Sequence, residues 1–572
     1  MPSSIELARA IVAALRHHGV REVVLAPGSR SAPLAYAIFE ADRAGLLRLH
    51  VRVDERTAGF LALGLAKPSD APVAVITTSG TAAANLHPAV LEAWHAHLPL
   101  IMITADRPRA LISTGANQTT HQDQLFAAHV RASAQLADGA SDLLSCRYEV
   151  SRLLAAARGL RSRLPGPVHL NVALGEPLTP SPWPLPDDGL LGAAGELAGQ
   201  SQGSGTTADE VRLGEFGTIH QPRPADPLLL PGGQATVVIA GDGPAQSGLA
   251  ALELARLGGF PLLAEPSSKA RLGSEAISTY RLLLSTVLAA EIERVVVFGR
   301  PTLSRPVSAL LADRRRELVI VSAYADWIDP GRHAHAVVDA VAVDQPGDPG
   351  WLDRWLDADQ RLRSELDQLL DAQADFTGPA LARTVWTSLG RDDVLIAGSS
   401  NPVRDLDLAP ITDQPPETYA NRGLSGIDGT VSTAAGIALA TGRPPHALIG
   451  DLTLLHDASG LFLGRDEPRP DLRIVVANDG GGSVFATLEQ GEPAYEAAFE
   501  RIFATPQDLD VAALAAAAGA TYELAEDAVR IAELMAKPPQ GIEIVDARID
   551  RRNRRALDLA IKDLARGPLA GL

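Results

Sequence analysis

Short runs of apolar, mostly β-branched residues alternate along this chain with longer stretches of helical period. Residues 22–26, 49–53, 73–77, 99–104 and 168–172 read as buried strands, and turn residues followed by helical patterns come after most of them. Residues 5–16 set Ile5, Leu7, Ala8, Ile11, Val12 and Leu15 against Glu6, Arg9 and Arg16, the spacing of an amphipathic helix. This alternation predicts a doubly wound sheet over residues 1–182.

From Pro180 to Gly233 the composition shifts to Pro, Gly, Ser, Gln and Thr, which predicts a linker over 183–233. A second α/β domain is expected over 234–373, with strands at 235–240, 261–264, 294–299, 318–322 and 336–339 and a charged helix over 353–372. A third, over 374–572, is expected to hold strands at 394–397, 446–450, 472–477 and 541–545. The reading is an α/β chain of three doubly wound parallel-sheet domains.

Composition agrees with this and narrows the function. The 572 residues are 46% apolar but only 4% aromatic, which suits helices packed closely on parallel strands. A net charge of −18, without a basic run of the kind that neutralises a phosphate backbone, argues against nucleic-acid and membrane-surface roles. No uncharged stretch reaches the roughly 18 apolar residues of a membrane span. The lone Cys146 forms no intramolecular disulfide and no charged-then-apolar leader is seen, so a cytoplasmic protein is expected.

Chemistry concentrates first in the last third. Gly450-Asp451-Leu452 ends one apolar run, and Asn478-Asp479-Gly480 ends another, with Asn478 following Asp451 by 27 positions. Carboxylate, amide and backbone carbonyl oxygens are hard donors suited to Mg²⁺, which keeps other positions for phosphate and water. Either tripeptide alone is an ordinary turn; the pair, at the carboxyl ends of successive strands with a helix expected over 458–464 between them, reads as a split magnesium-diphosphate site.

In these residues the chain resembles the thiamine-diphosphate enzymes, with Ala477 in place of the first Asn of the usual pair. The resemblance implies that Asp451, Asn478 and the carbonyl of Gly480 hold Mg²⁺ or Mn²⁺, with Gly450 beside the diphosphate. It also gives Glu55 a role. A lone glutamate at the start of a helix is more often a cap or half of an ion pair. Here it lies in Val53-Asp-Glu-Arg-x-Ala-Gly-Phe-x-Ala-Leu-Gly-Leu-Ala66, which matches the family segment whose glutamate meets N1′ of the aminopyrimidine. Ile427 matches the apolar wedge that bends the cofactor; without the motif it reads equally as core. In that family the glutamate and the metal motif meet across a dimer interface, which implies a homodimer or dimer of dimers.

Further segments resemble the branch of the family that joins 2-oxoglutarate to isochorismate in menaquinone biosynthesis. They are Ala26-Pro-Gly-Ser-Arg-Ser-Ala-Pro33, residues 77–85, Thr104-Ala-Asp-Arg-Pro108, Gly115-Ala-Asn-Gln118 and Asn421-Arg-Gly-Leu-Ser-Gly-Ile-Asp-Gly429. The two substrates carry four carboxylates, and guanidinium forks bind carboxylates bidentately while keeping their charge. The resemblance assigns Arg30, Arg107, Arg404, Arg422 and, on poorer flanks, Arg305 to the substrates, with Ser29, Gln118 and Ser400 as neutral donors. It implies decarboxylation of 2-oxoglutarate and 1,4-addition of the succinyl carbanion equivalent to isochorismate. The alternatives are another thiamine-diphosphate decarboxylase or acetolactate-type synthase, and a regulatory homologue without turnover.

Overall fold

The computed structural model describes residues 2–137, 142–181, 183, 210–212 and 218–566. Of the expected linker, residues 184–209 and 213–217 lie outside the described residues. The chain forms two compact units, one from Met1–Arg223, Asp428–Gly442 and Asp457–Pro470, the other from Pro224–Ile427, Arg443–His456 and Asp471–Leu572.

The first unit is built on strands β1 (Glu22–Leu25), β2 (Arg48–Val51), β3 (Val73–Thr77), β4 (Leu100–Asp106), β5 (Ser133–Leu136) and β6 (Val168–Ala173), in the order β2-β1-β3-β4-β6-β5. Every pairing is parallel. Strands β3, β4 and β6 are buried along their whole length, as strands covered on both faces must be. Val23, Leu25, Ala74, Ile76, Ile101 and Ile103 share one cluster with the helices Ser4–His17, Ala32–Arg43 and Leu143–Ala157. The intervening residues point to the opposite face.

The helix Glu55–Ala66 begins directly after the β2 turn and is buried from Thr57 to its end. It packs on the helix Thr430–Thr441 almost backbone to backbone. A Cβ on Gly64 would lie 2.1 Å from the Thr433 carbonyl oxygen, and one on Gly436 would lie 2.3 Å from that of Leu61. Gly429, at φ +58°, turns the chain into the second helix where a Cβ would meet the Phe60 ring at 1.9 Å. Only glycine permits this approach.

The antiparallel pair β7 (Glu210–Arg212) and β8 (Thr218–His220) belongs to the first unit. Among the described residues the second unit carries three parallel sheets, and its strands begin with β9 (Leu228–Leu230), β10 (Thr236–Ala240), β11 (Leu262–Ala264), β12 (Arg294–Phe298), β13 (Glu317–Val321), β14 (Ala336–Val338) and β15 (Val341–Val343). The middle sheet runs β11-β10-β12-β13-β14, and β15 pairs with β9 beside it. The last sheet consists of β16 (Val394–Ala397), β17 (Glu417–Tyr419), β18 (Pro445–Gly450), β19 (Leu472–Asn478), β20 (Thr521–Ala525) and β21 (Ile542–Arg548). Its order is β17-β16-β18-β19-β21-β20. Among the described residues, no helix is long and apolar enough to cross a membrane.

The fold is the expected α/β class, with two local differences. Strands β5, β17 and β20 are edge strands whose short, partly polar sequences carry no clear strand period. The crossover after β18 is helical from Asp451 to His456, and Ala458–Leu461 is only a 3₁₀ turn, so the helix sits earlier than the 458–464 expected.

Replacing Gly436 by Ala should lower unfolding stability by about 1–3 kcal/mol through overpacking. Gly45 has positive φ but open space around its Cβ, so Gly45→Ala should bring only backbone strain and a smaller loss. Urea titrations of both variants measure the difference.

Candidate active site

In the first unit the candidate residues stand past the carboxyl ends of the parallel strands. Ser29 and Arg30 follow β1, Glu55 follows β2, and Arg107 follows β4. Arg30 donates to the Leu174 carbonyl at 2.8 Å. Arg107 donates to Ser79 Oγ at 2.6 Å and to the Gln118 carbonyl at 2.7 Å, while Gln118 Nε2 donates to the Ser79 carbonyl at 2.8 Å. Partial burial, followed by the charge of Arg30, lowers the Arg107 pKa. The structure therefore brings Arg30, Arg107 and Gln118 together, and Ser29 is exposed on the same loop as Arg30. Two neighbouring cations held by neutral oxygens are ready for an anion. Glu55 is half-buried in the first turn of its helix, and among the described residues its carboxylate has no hydrogen-bond or ion partner.

In the second unit a cavity of about 410 Å³ opens at the carboxyl ends of β16, β18 and β19. Ser400, Arg404, Ile427, Gly450 and Asp451 line it, joined by Asp479, Arg551 and Arg554. Ser400 adopts φ +75°, ψ −135° at the start of the helix Asn401–Leu406, a conformation normally left to glycine. Such strain is held where surrounding structure fixes it, often at functional sites. Arg404 donates to the Ser400 carbonyl at 2.6 Å, and burial, then Arg422 and Arg281, lower its pKa. Arg422 is buried and donates to Thr302 Oγ1 at 2.8 Å. Arg305 instead forms a two-pronged pair with Glu489 at 2.7 and 3.1 Å, exposed and outside the cavity lining.

The end of β19 differs from the simplest expectation. Asn478 and Gly480 do not line the cavity; Asn478 Nδ2 donates to Asp546 at 2.7 Å, and its Oδ1 faces the Gly480 N–H at 3.4 Å. Asp479 does line it, hydrogen-bonded by Ser483, which in turn takes a bond of 2.6 Å from Asn401. Burial pushes the Asp451 carboxyl up to about 6 and that of Asp479 up to about 7, each against opposing hydrogen bonds.

Asp451 and Asp479 give the cavity two desolvated carboxyls, hard oxygen donors of a kind that suits a divalent cation. Arg551 and Arg554 add positive charge beside it. Arg554 is locked by Asp405 at 2.9 and 2.7 Å. The basic residues 548–555 also pair with acids, Arg548 with Asp546, Arg551 with Glu500 and Arg552 with Asp550, so they form no open phosphate-binding patch.

Behind Arg422 lies a group that sequence reading passed over. Glu265 is fully buried, accepts the Leu303 N–H at 2.8 Å, and is pushed up to about 8, by burial first and then by Asp407. Asp407 is itself buried under the Tyr280 hydroxyl at 2.5 Å.

Comparison with known proteins supplies the chemical context. Residues 5–127 match the family described as thiamine pyrophosphate enzyme, N-terminal TPP binding domain. The chain is 47% identical over 562 residues to the 2-succinyl-5-enolpyruvyl-6-hydroxy-3-cyclohexene-1-carboxylate synthase of Kineococcus radiotolerans, covering 96% of each chain. It is 44% identical over 585 residues to the synthase of that name from Paenarthrobacter aurescens, covering 98% of this chain and 96% of the relative. With that from Saccharopolyspora erythraea it shares 40% identity over 583 residues, the full length of both.

Glu265 generates a pH prediction. Between its ordinary 4.5 and about 8 the unfolded chain has released this proton and the folded chain has not. Stability from this group therefore falls as pH rises across that window and levels off above it. Glu265→Gln should lose that component, so the variant should gain stability relative to the parent between pH 6 and 9 in thermal melts.

Proposed function

Because the chain belongs to the family of 2-succinyl-5-enolpyruvyl-6-hydroxy-3-cyclohexene-1-carboxylate synthases, we propose that it decarboxylates 2-oxoglutarate with thiamine diphosphate and adds the succinyl unit to isochorismate. This carbon–carbon bond-forming step belongs to menaquinone biosynthesis. The observation that carries the reading is near full-length identity of 47% to one such synthase. The clustered arginines at two sets of strand ends agree with it.

When bound, thiamine diphosphate supplies a thiazolium that takes up the electron pair left as carbon dioxide departs. The chain's own residues do the rest. Glu55 would hydrogen-bond N1′ of the aminopyrimidine and hold a proton there, the acid–base role a carboxyl at that position can supply. Ile427 would pack against the cofactor. With the cofactor bound, Asp451, the Asn478 amide oxygen and the Gly480 carbonyl would hold Mg²⁺ or Mn²⁺, with Gly450 beside the diphosphate; Asp479 and Arg551 would tune the charge around them.

Arg30 and Arg107 with Ser29 and Gln118, and Arg404 and Arg422 with Ser400, orient the substrate carboxylates. Their fixed charges also stabilise the negative charge that develops during addition. Arg305, held by Glu489, stands ready to exchange that partner for a substrate carboxylate. In the thiamine-diphosphate family the residues matching Glu55 and Asp451 meet across a dimer interface, which supports a homodimer or dimer of dimers sharing its sites between chains. A cytoplasmic location agrees with the free, buried Cys146.

The purified protein should form the condensation product only when 2-oxoglutarate, isochorismate, thiamine diphosphate and Mg²⁺ are all present. Rapid aldehyde release without isochorismate would instead favour a simple 2-oxoacid decarboxylase. Glu55→Gln should retain cofactor binding by calorimetry while kcat falls by about 100-fold or more. Near-normal turnover would reject Glu55 as the N1′ partner.

A further inference from the structure

Glu55 takes its direction from a tight turn, since its own carboxylate has no partner among the described residues. That turn is gripped on both sides. At the end of β2, the Val51 N–H donates to Glu467 Oε2 at 2.8 Å, and the buried Arg52 guanidinium reaches the same oxygen at 3.3 Å. On the far side, Asp54 Oδ1 caps the helix by accepting the Arg56 N–H at 2.9 Å and the Thr57 N–H at 3.4 Å. The other oxygen of that carboxylate accepts the Ser459 hydroxyl at 2.7 Å.

Ser459 and Glu467 both come from the segment Asp457–Pro470. Its start is fixed in turn. Asp457 is buried and accepts the Ser432 N–H at 2.8 Å and the Ser432 hydroxyl at 3.2 Å. Gly460 lies where a Cβ would sit 2.5 Å from Ser432 Oγ. Ser432 belongs to the helix that packs glycine to backbone on Glu55–Ala66, so the clamp and the clamped turn share one rigid frame.

We propose that Ser459 and Glu467 are positioning residues for Glu55. They set the pitch of the turn between β2 and the helix, and through it the aim of the Glu55 carboxylate at N1′ of the cofactor. The cap on the helix is complete without Ser459, because Asp54 Oδ1 alone accepts both amides. What Ser459 adds is a fixed rotamer for Asp54 and a fixed position for the first helical turn. Glu467 does the equivalent at the strand side, where the Arg52 ion pair excludes other arrangements. The inference rests on the reading of Glu55 given above.

The test uses the full-length holoenzyme. Ser459→Ala should melt within a few degrees of wild type, while kcat falls about ten- to a hundredfold because a small misplacement of a reacting group is that costly. KM for 2-oxoglutarate should change less. The near-ultraviolet circular dichroism of the bound aminopyrimidine should shift its pH midpoint, reporting the altered Glu55 contact. Ser459→Thr, which keeps the hydroxyl, should restore both. Glu467→Gln, which keeps an acceptor for Val51 but loses the ion pair, should show the same pattern more weakly.

Wild-type kcat and an unmoved dichroism midpoint in Ser459→Ala would overturn the proposal, as would a loss that tracks unfolded protein and is not rescued by Thr. An active wild type, a dead Glu55→Gln and a fully active Ser459→Ala would remove the clamp and leave the functional reading standing. A wild type that makes no product would remove both.

Discussion

The close packing of the helices Glu55–Ala66 and Thr430–Thr441 is the constraint on which the candidate chemistry of the first unit depends. Gly64 and Gly436 let each backbone approach the other's carbonyls, so no flexible side chain lies between them. Interiors packed this tightly transmit position instead of absorbing it. Asp457 ties the next segment to the second helix, and Ser459 and Glu467 tie that segment to the turn bearing Glu55. The Glu55 carboxylate, without a partner of its own among the described residues, thereby stands on a fixed turn.

The second unit meets a different demand, holding charges away from water without losing them. Asp451 and Asp479 are pushed upward by burial, whereas Arg404 is pushed downward by burial beside Arg422. Unpaired buried carboxylates tend to neutralise, whereas a guanidinium keeps its charge and the cost of its burial. A bound cation would favour the carboxylates and bound carboxylates would favour the arginines, so the protein's electrostatic strain is directed at its ligands. Arg554 differs: Asp405 takes two of its N–H groups, and its charge stays beside Asp479 at the cavity.

Much of this was legible in the chain itself. Fully buried strands such as β3 and β4 announce themselves as uninterrupted apolar runs, and Asp451 and Glu55 lie in short local patterns at strand ends. The edge strands β5, β17 and β20 did not, because a strand bonded on one side needs little apolar character. Asp479 was hidden inside a tripeptide that reads as a turn, and only the path of β19 shows that it faces the cavity while Asn478 faces Asp546. The Ser459–Asp54 bond spans 405 residues and the Arg554–Asp405 pair 149, distances at which no local period carries a signal. Glu265, a charged residue at the end of a short strand, carries no local pattern that separates a buried carboxyl from a surface one.

The proposed chemistry turns on one proton, the one Glu55 would hold against the cofactor so that the thiazolium C2–H becomes acidic enough to exchange. The rate of deuterium exchange at that carbon in the bound cofactor, followed by quenched-flow NMR without substrate, tests it most directly. Exchange in the wild type far faster than for free thiamine diphosphate, and falling toward the free rate in Glu55→Gln, is the predicted result. Equal exchange in the two proteins would contradict it.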